Sequence, residues 1–328
     1  MAFTGGVRGH GLPSQNADLP GLWGEIMDSN RAERAPDHTR LAAFDQHRRL
    51  LFSIAYRMLG SVADAEDMVQ EAFIRWQQAS EDDVRSPKAF LVTIVSRLCI
   101  NHLQSARVRH EQSVGQWLPE PLVTDPQDDP LGVLRVDESL SMALLVLLER
   151  LTPMERAVFL LRDVFGFTYT EVAKSLGHSE AGCRQILHRA RGHVGDMRQR
   201  FEVSSREHHE LLERFLDAAR KGDVDRLLQL LSSDVVLHID GGAAAPVPNV
   251  IHGADKVTRG LLGGARSLPE RIIIRTATIN GQAGIISYLD GRPYSVLILN
   301  IRNARIHGVF IVTDREKLAH LPALDAAP

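Results

Sequence analysis

Apolar residues recur at helical spacing from about Leu41 to Arg200, whereas they alternate at strand spacing after about Val235. Within 61–77 the apolar stripe of an amphipathic helix consists of Ala65, Met68, Val69, Ala72, Phe73 and Trp76. Ser61 is placed to cap this helix, with Asp64 as the carboxylate of a capping box. The burial expected of that stripe makes Trp76 a core residue rather than a stacking platform.

A second helix is predicted to start at Pro87, after Ser86 as its cap, and to run to about Arg109. Its apolar residues include Phe90, Leu91, Ile94, Val95, Leu98 and Leu103. The first block of the chain, 37–110, is therefore predicted to be an all-helical bundle.

A second helical block, 136–200, is marked by two capping boxes, TPME at 152–155 and TYTE at 168–171. The second box opens a short helix that ends at Gly177, and Ser179 starts a further helix that runs to about Val194. Two helices around so short a turn predict a helix-turn-helix. The residues of the second helix expected to face inward are Ala181, Ile186, Leu187 and Ala190.

The C-terminal third begins with an amphipathic helix, 207–219, and a shorter helical segment, 224–231. Strands are predicted at 235–239, 271–279, 285–289, 294–301 and 306–312. Asn280-Gly281 and Asp290-Gly291 are typical hairpin turns between such strands. Helices followed by an antiparallel meander predict an α+β domain in which a curved sheet wraps around a helix.

The composition restricts the classes of protein that remain. A chain of 328 residues predicts two or three domains. A net charge of −3 means that any positive surface must be local, and Arg184, Gln185, His188, Arg189 and Arg191 form such a patch on the second helix of the helix-turn-helix. Two distant cysteines, Cys99 and Cys183, favour neither a disulfide framework nor a zinc site.

Six segments are predicted along the chain, and their order follows from the changes in pattern and composition. They are a disordered leader (1–36), the first helical block (37–110), a linker (111–135), the helix-turn-helix block (136–200), the α+β domain (206–313) and a tail (314–328). The leader lacks the apolar core of a signal peptide, and no apolar stretch is long enough to span a membrane. We therefore expect a cytoplasmic protein with no membrane partner.

The motifs in the two helical blocks resemble those of the extracytoplasmic-function sigma factors. LFSIAYRMLGSVADAEDMVQEAFIRW (51–76) and SPKAFLVTIVSRLCINHLQSA (86–106) are similar to their region two, and the stretch from Leu151 to Val194 is similar to region four. WLPEP at 117–121, between the two blocks, resembles the linker motif of the SigJ-like subgroup, which carries a fused SnoaL-like domain.

Two further motifs of that subgroup are only partly present. Its DGGGK motif matches at Asp240, Gly241 and Gly242, with Ala243 and Ala244 in the last two positions. Its C-terminal NPDKL motif is matched at Lys317 and Leu318, and the first two positions differ at Asp314 and Arg315. The resemblance implies two all-α sigma domains and an α+β domain of the SnoaL/NTF2-like type.

The resemblance also implies roles for particular residues. Core RNA polymerase, through its β′ clamp helices and β flap, would be bound by an acidic face made of Asp64, Glu66, Asp67, Gln70 and Glu71. The minus-ten element would be read by the loop 79–86 and by Lys88, Arg97, Asn101, Arg107 and Arg109, and the minus-thirty-five element by Arg184, Gln185, His188, Arg189 and Arg191. Regulation without a separate anti-sigma protein would involve Trp117, Leu118, Pro119, Glu120, Pro121, Asp240, Gly241, Gly242, Lys317 and Leu318.

A different class of function stays open, a DNA-tethered small-molecule sensor or SnoaL-like enzyme. The polar residues that could line a pocket in the cone of the C-terminal domain, where an unknown small ligand would bind, are Asp240, His238, His252 and Tyr288. The adjacent His208 and His209 fit a solvated helix face, and no set of three metal ligands stands out. We expect neither a cofactor nor covalent chemistry.

Overall fold

A computed structural model of the chain describes residues 38–80, 84, 86–110, 117–123, 141–194, 205–242 and 250–324. The predicted leader, the side chains of Arg107 and Arg109, and Ala243 and Ala244 lie outside the described residues. Residues 43–328 form one compact unit, and the described part of the other unit is the start of the first helix, 38–42. Within the described residues, no helix is long and apolar enough to cross a membrane.

The first block contains three helices, α1 (His38–Leu59), α2 (Val62–Gln78) and α3 (Pro87–His110). Ser61 caps α2 as predicted, because its hydroxyl accepts the backbone N–H of Asp64. The predicted carboxylate half of that capping box is wrong, since no hydrogen bond joins the Ser61 N–H to the Asp64 side chain among the described residues; this carboxylate lies 3.7 Å from His102 Nε2. Trp76 is 3% exposed, which confirms its place in the core.

The second block contains α4 (Met142–Leu148), α5 (Pro153–Phe159), a π-helical turn (Leu160–Val164), α6 (Tyr169–Leu176) and α7 (Glu180–Val194). Both predicted capping boxes are present, at the starts of α5 and α6. Gly177 ends α6 in the left-handed conformation that glycine adopts without steric cost. Ala181 is exposed, which corrects its predicted inward position: the buried row of α7 is Cys183, Ile186, Leu187, Ala190 and Val194.

The C-terminal domain consists of α8 (Ser205–Lys221), α9 (Val224–Leu230), β1 (Leu231–Asp240), β2 (Val250–His252), α10 (Ala254–Arg266), β3 (Ile272–Ile279), β4 (Gln282–Leu289), β5 (Arg292–Arg302), β6 (Arg305–Val312) and α11 (Arg315–Leu318). The described strands form one sheet in the order β2-β1-β6-β5-β4-β3. From β3 to β6 it is the predicted antiparallel meander, whereas β1 runs parallel to β6. The sequence pattern missed β2 and α10.

The two faces of this sheet are covered by different parts of the chain. On the inner face, α8, α9 and α10 pack their apolar rows against residues such as Leu237, Ile285 and Leu299. On the outer face, Tyr288 and Phe310 belong to a cluster that also contains Leu118, Met142 and Ala143 from outside the domain, and Leu318 and Leu321 from the chain end. The outer face is therefore where the C-terminal domain meets the rest of the molecule.

The two helical blocks share one hydrophobic core. Buried residues of α1, α2 and α3 and of α4 to α7 belong to a single cluster, which includes Leu51, Val95, Leu160 and Leu187. Because this core is continuous, the helix-turn-helix packs directly against the first block in this structure.

Candidate interaction surfaces

The acidic face of α2 is open to solvent. Glu66, Asp67 and Gln70 are exposed, and Glu71 forms an exposed ion pair of 2.7 Å with Arg75 on the same helix. Asp64, in the first turn, is half-buried beside His102. The opposite side of the helix is held in the core by Ala65, Val69, Ala72 and Trp76. The polar side chains of Glu66, Asp67, Gln70 and Glu71 therefore lie together on one side of α2, and the buried opposite side fixes that helix in the core.

Three predicted DNA contacts on α3 have different surroundings. Arg97 Nε donates a hydrogen bond of 2.9 Å to the carbonyl oxygen of Ser175, near the end of α6. Lys88 Nζ lies 5.0 Å from the ring centroid of Phe167, also in the second block. Asn101 is exposed. Lys88 and Arg97 therefore contact the helix-turn-helix block, whereas Asn101 is open to solvent.

Two further arginines cross between the helical blocks. Arg156 of α5, which is 3% exposed, donates from Nη1 to the carbonyl oxygen of Met58 over 2.6 Å. Arg57 of α1 lies over the ring of Phe165 at 5.3 Å. Arg156 and Arg97 both meet carbonyls in the last turn of a helix of the other block, where unpaired carbonyls and the helix dipole favour a cation. The contact between the blocks is therefore polar as well as apolar.

The polar side of α7 divides into free and paired side chains. Gln185 and His188 are exposed and make no hydrogen bond or ion pair with the described part of the chain. Arg184 pairs with Glu180 at 2.9 Å and lies 4.8 Å from the ring centroid of Tyr169. All three point away from the buried row of the helix.

Two arginines farther along α7 contact acidic residues of the same block. Arg191 donates to both oxygens of Asp163 over 2.8 and 2.7 Å, which raises its pKa. Arg189 and His193 lie 3.6 and 3.7 Å from the carboxylate of Glu155. Burial opposes ionisation of Glu155, but the hydrogen bonds from Thr152, together with Arg189 and His193 nearby, outweigh it and lower the pKa of Glu155. Arg189 and Arg191 therefore help to fix α7 onto α5 and the π-helical turn.

The linker motif, Trp117–Pro121, is bound to the C-terminal domain by a buried charge pair. Lys317 Nζ contacts Asp240 Oδ2 at 2.7 Å and donates to the carbonyl oxygen of Leu118 at 2.6 Å. Asp240 accepts the N–H of Leu118 at 2.7 Å. Lys317 also lies 4.4 Å from the ring centroid of Trp117. The partial motifs at 240 and 317 thus meet around the linker motif, and we call this contact the clasp.

The same linker motif contacts the start of α2. Glu120 N donates to the carbonyl oxygen of Gly60 over 2.8 Å, and Glu120 Oε2 accepts the N–H of Val62 over 2.6 Å. A side chain at Gly60 would place its Cβ 2.5 Å from the Trp117 ring, and the backbone there has a φ of +69°. Glycine is therefore required where the motif crosses the turn between α1 and α2.

Sequence reasoning missed two residues that complete this contact, Tyr56 and Asn280. The Tyr56 hydroxyl donates to the carbonyl oxygen of Glu120 at 2.5 Å and accepts from Asn280 Nδ2 at 2.7 Å. Asn280 also exchanges two hydrogen bonds with Leu122, of 2.7 and 3.1 Å. The Asn-Gly turn gave a local signal for a hairpin, but nothing in the sequence indicated that its asparagine is buried against the first block.

The four polar residues considered for a pocket do not line the interior of the domain. Asp240 and His238 alternate with inward-facing residues of β1, Tyr288 belongs to the outer cluster, and His252 is paired with Val236 on that face. His238 stacks on Phe310, and burial lowers its pKa to about 4. Within the described residues, no group of three His, Cys, Asp or Glu side chains could hold a metal ion.

Comparison with known proteins agrees with this arrangement. The family described as Sigma-70 region 2 matches residues 43–109, and Sigma-70, region 4 matches residues 141–194. A region 2 bundle joined to a region 4 helix-turn-helix defines a promoter-recognition subunit of RNA polymerase. The chain belongs to the extracytoplasmic-function (ECF) RNA polymerase sigma factors, as its full-length relatives show.

Two of these relatives come from Mycobacterium tuberculosis. The ECF sigma factor SigJ is 35% identical over 298 residues, which cover 86% of this chain and 94% of the relative. The probable ECF sigma factor SigI is 33% identical over 284 residues, which cover 86% and 96%. The crystal structure of M. tuberculosis SigJ matches with a TM-score of 0.70 and 34% identity, over 85% of this chain and 98% of that one.

The predicted order of domains is therefore confirmed: two helical sigma domains are followed by an α+β domain. The chain binds core RNA polymerase, recognises promoter DNA and directs the initiation of transcription.

Proposed function

We propose that the acidic face of α2 is the surface that docks on the β′ clamp helices of core polymerase. The observation that carries this proposal is the exposure of Glu66, Asp67 and Gln70 while α3 is engaged by region 4. Complementary charge across such a surface accelerates association and fixes the orientation of the partners. The face is available without any rearrangement, so docking on core polymerase can precede promoter recognition.

Promoter recognition is proposed to require a separation of the two sigma regions. Lys88 and Arg97 contact region 4 in this structure, although both are assigned to the phosphates of the minus-ten element. Asn101 is assigned to a base edge of that element, whereas Arg107 and Arg109 keep their proposed phosphate contacts. When DNA binds, Lys88 and Arg97 would replace their contacts with region 4 by contacts with phosphates.

On α7, Gln185 and His188 are the proposed readers of the minus-thirty-five element in the major groove, together with Arg184. Their exposure, on the face opposite the buried row, supports this assignment. Arg189 and Arg191 stay candidates for phosphate contacts. Each would either break its ion pair, with Glu155 or Asp163 respectively, or contact the phosphate and that carboxylate at the same time. The β flap of core polymerase is the proposed partner of the rest of region 4.

The C-terminal domain is proposed to regulate the sigma regions in place of a separate anti-sigma protein. The clasp supports this role, because it fixes the linker on which the distance between region 2 and region 4 depends. The proposal keeps the predicted division of the chain, with the domain over 206–313 and the tail from 314. It assigns no covalent chemistry and no small ligand to the domain, since the four polar residues considered lie on the outer face of the sheet, away from the interior of the domain.

The docking proposal is tested by reversing charge on the acidic face, with Asp67→Arg and Glu71→Arg in one variant. We expect this variant to lose at least tenfold in affinity for purified core polymerase and to keep its circular dichroism spectrum. The control is Glu210→Arg with Glu213→Arg, which makes the same change in net charge on exposed residues of α8. Equal affinity of the two variants would contradict the docking role.

A further inference from the structure

Asn280 is the buried tip of one of three hairpins in the C-terminal domain that have left-handed residues in their turns. Its φ is +50°, and Asp290 and Asn303 have φ values of +50° and +48° in the other two turns. Asp290 and Asn303 are exposed, whereas Asn280 is 1% exposed. The same turn chemistry therefore projects two side chains into solvent and one against region 2.

The hydrogen bonds of Asn280 converge on Glu120 by two routes. In the first route, Asn280 holds Leu122, two residues after Glu120 in the linker: its backbone N–H donates to the Leu122 carbonyl, and its side-chain Oδ1 accepts the Leu122 N–H. In the second route, its side-chain Nδ2 donates to the Tyr56 hydroxyl, which donates in turn to the carbonyl oxygen of Glu120. Tyr56 is fully buried, and its burial raises its pKa, so the hydroxyl stays protonated and available as a donor.

Glu120 in turn determines how α2 begins. The first N–H groups of a helix have no partner within the helix, and a carboxylate at this end is also favoured by the helix dipole. Ser61 satisfies the N–H of Asp64, and Glu120 satisfies that of Val62. The acidic face starts in the same turn, at Asp64. A contact made by the C-terminal domain therefore reaches the first turn of the helix proposed to dock on core polymerase.

We propose that Asn280 is a positioning residue through which the C-terminal domain orients the polymerase-docking helix, by way of Tyr56 and Glu120. This route is separate from the clasp, because neither Asp240 nor Lys317 takes part in it. The inference rests on the proposed docking role of α2. It predicts that the domain supports core binding through its contact with the start of α2.

The test uses the full-length chain with Asn280→Gly, which removes the side chain and suits a positive φ. Asn303→Gly is the matched control, since it makes the same change at an exposed turn of equal geometry. We expect Asn280→Gly to weaken binding to purified core polymerase by about threefold to tenfold, as the loss of one or two net hydrogen bonds implies, and Asn303→Gly to leave it unchanged. Hydrogen exchange at the amides of residues 62–64 should accelerate only in the first variant.

Tyr56→Phe provides a second and milder disruption of the same route. If Asn280 acts through Tyr56, the two substitutions should not add. The double variant Tyr56→Phe with Asn280→Gly should then bind core polymerase as tightly as the single variant with the lower affinity. A general loss of folding would instead make the two effects add and would lower affinity for Asn303→Gly as well.

The outcomes separate this inference from the docking proposal. Equal core affinity of Asn280→Gly and Asn303→Gly, or additive effects of the Tyr56 and Asn280 changes, would overturn the inference. In either case the docking proposal stands as long as the Asp67 and Glu71 reversal still weakens binding by at least tenfold. If that reversal has no effect on binding, the docking proposal fails, and any effect of Asn280 then belongs to another surface.

Discussion

His208 and His209 are neighbours on α8, yet they have opposite environments. His209 is exposed beside Glu213, whereas His208 is 4% exposed and packs against the inner face of the sheet. Its Nε2 atom has no hydrogen-bond partner among the described residues. The expectation of a solvated pair was therefore wrong for His208, because the strong amphipathic period of α8 turns that position inward.

Burial lowers the pKa of His208 to about 4, from 6.5 for a free histidine. The unfolded chain therefore binds a proton between pH 6.5 and 4 that the folded chain does not, so stability is complete above pH 6.5 and falls as the pH drops through this window. At about 1.4 kcal/mol per pKa unit, this residue accounts for roughly 3 kcal/mol. We expect the unfolding free energy of His208→Gln to depend less on pH over this range, as measured by chemical denaturation.

The exposed neighbour supplies the control for this measurement. His209→Gln makes the same substitution at the exposed neighbouring position, so we expect the pH profile of His208→Gln to differ from that of His209→Gln. An identical pH profile for His208→Gln and His209→Gln would show that other groups, such as the half-buried His238, dominate the acid sensitivity.

At the scale of the element, α7 combines a recognition surface with a fastening surface. His188 belongs to the first, because it is exposed and makes no hydrogen bond or ion pair with the described part of the chain. Arg191 belongs to the second through its two hydrogen bonds to Asp163. One row of side chains is therefore open for the proposed contact with bases, while a neighbouring row holds the helix against the rest of its block.

This division predicts different results for two substitutions on α7. Arg191→Ala should lower the unfolding free energy by on the order of 1 kcal/mol, since it removes a partly exposed bidentate pair. His188→Ala should leave thermal stability unchanged and alter the preference for bases of the minus-thirty-five element, measured by competition among promoter variants. Equal losses of stability for both variants would show that the two rows are not separate.

At the scale of the whole molecule, one buried charge pair connects the linker, the sheet and the chain end. Lys317 is 8% exposed and Asp240 is 5% exposed. Burial lowers the pKa of Lys317, and Asp240 opposes that shift. A buried pair of this kind adds little net stability but is costly to break from one side, because the remaining charge loses its partner.

We expect Lys317→Met to lower the unfolding free energy by on the order of 3 kcal/mol, and the double variant with Asp240→Asn to lower it by less. In cells, with protein levels matched, Lys317→Met and removal of residues 314–328 should both raise transcription from a cognate promoter, since each frees the linker from the clasp. Removal of everything after about Arg206 should lower it, because the support of region 2 is lost. Equal transcription in all these forms would contradict a regulatory role for the domain.

The sequence by itself determined the local structure and the family. Capping boxes at 152–155 and 168–171, the glycine at 177 and the apolar stripe of α2 are short-range signals, and each defined a helix that the structure contains. Alternation of apolar residues defined most of the sheet in the same way. These features depend on residues within a few positions of one another, so the order of residues is sufficient to predict them.

Only the tertiary structure decided which of these elements meet. Asn280 and Tyr56 are 224 positions apart, and Lys317 and Leu118 are 199 apart. No periodicity links such residues, and the parallel pairing of β1 with β6 likewise joins distant segments. The sequence therefore identified a linker motif and a hairpin turn separately. That the turn reaches the start of α2, the helix proposed to dock on core polymerase, depends on the packing of a whole domain against region 2, which local patterns do not encode.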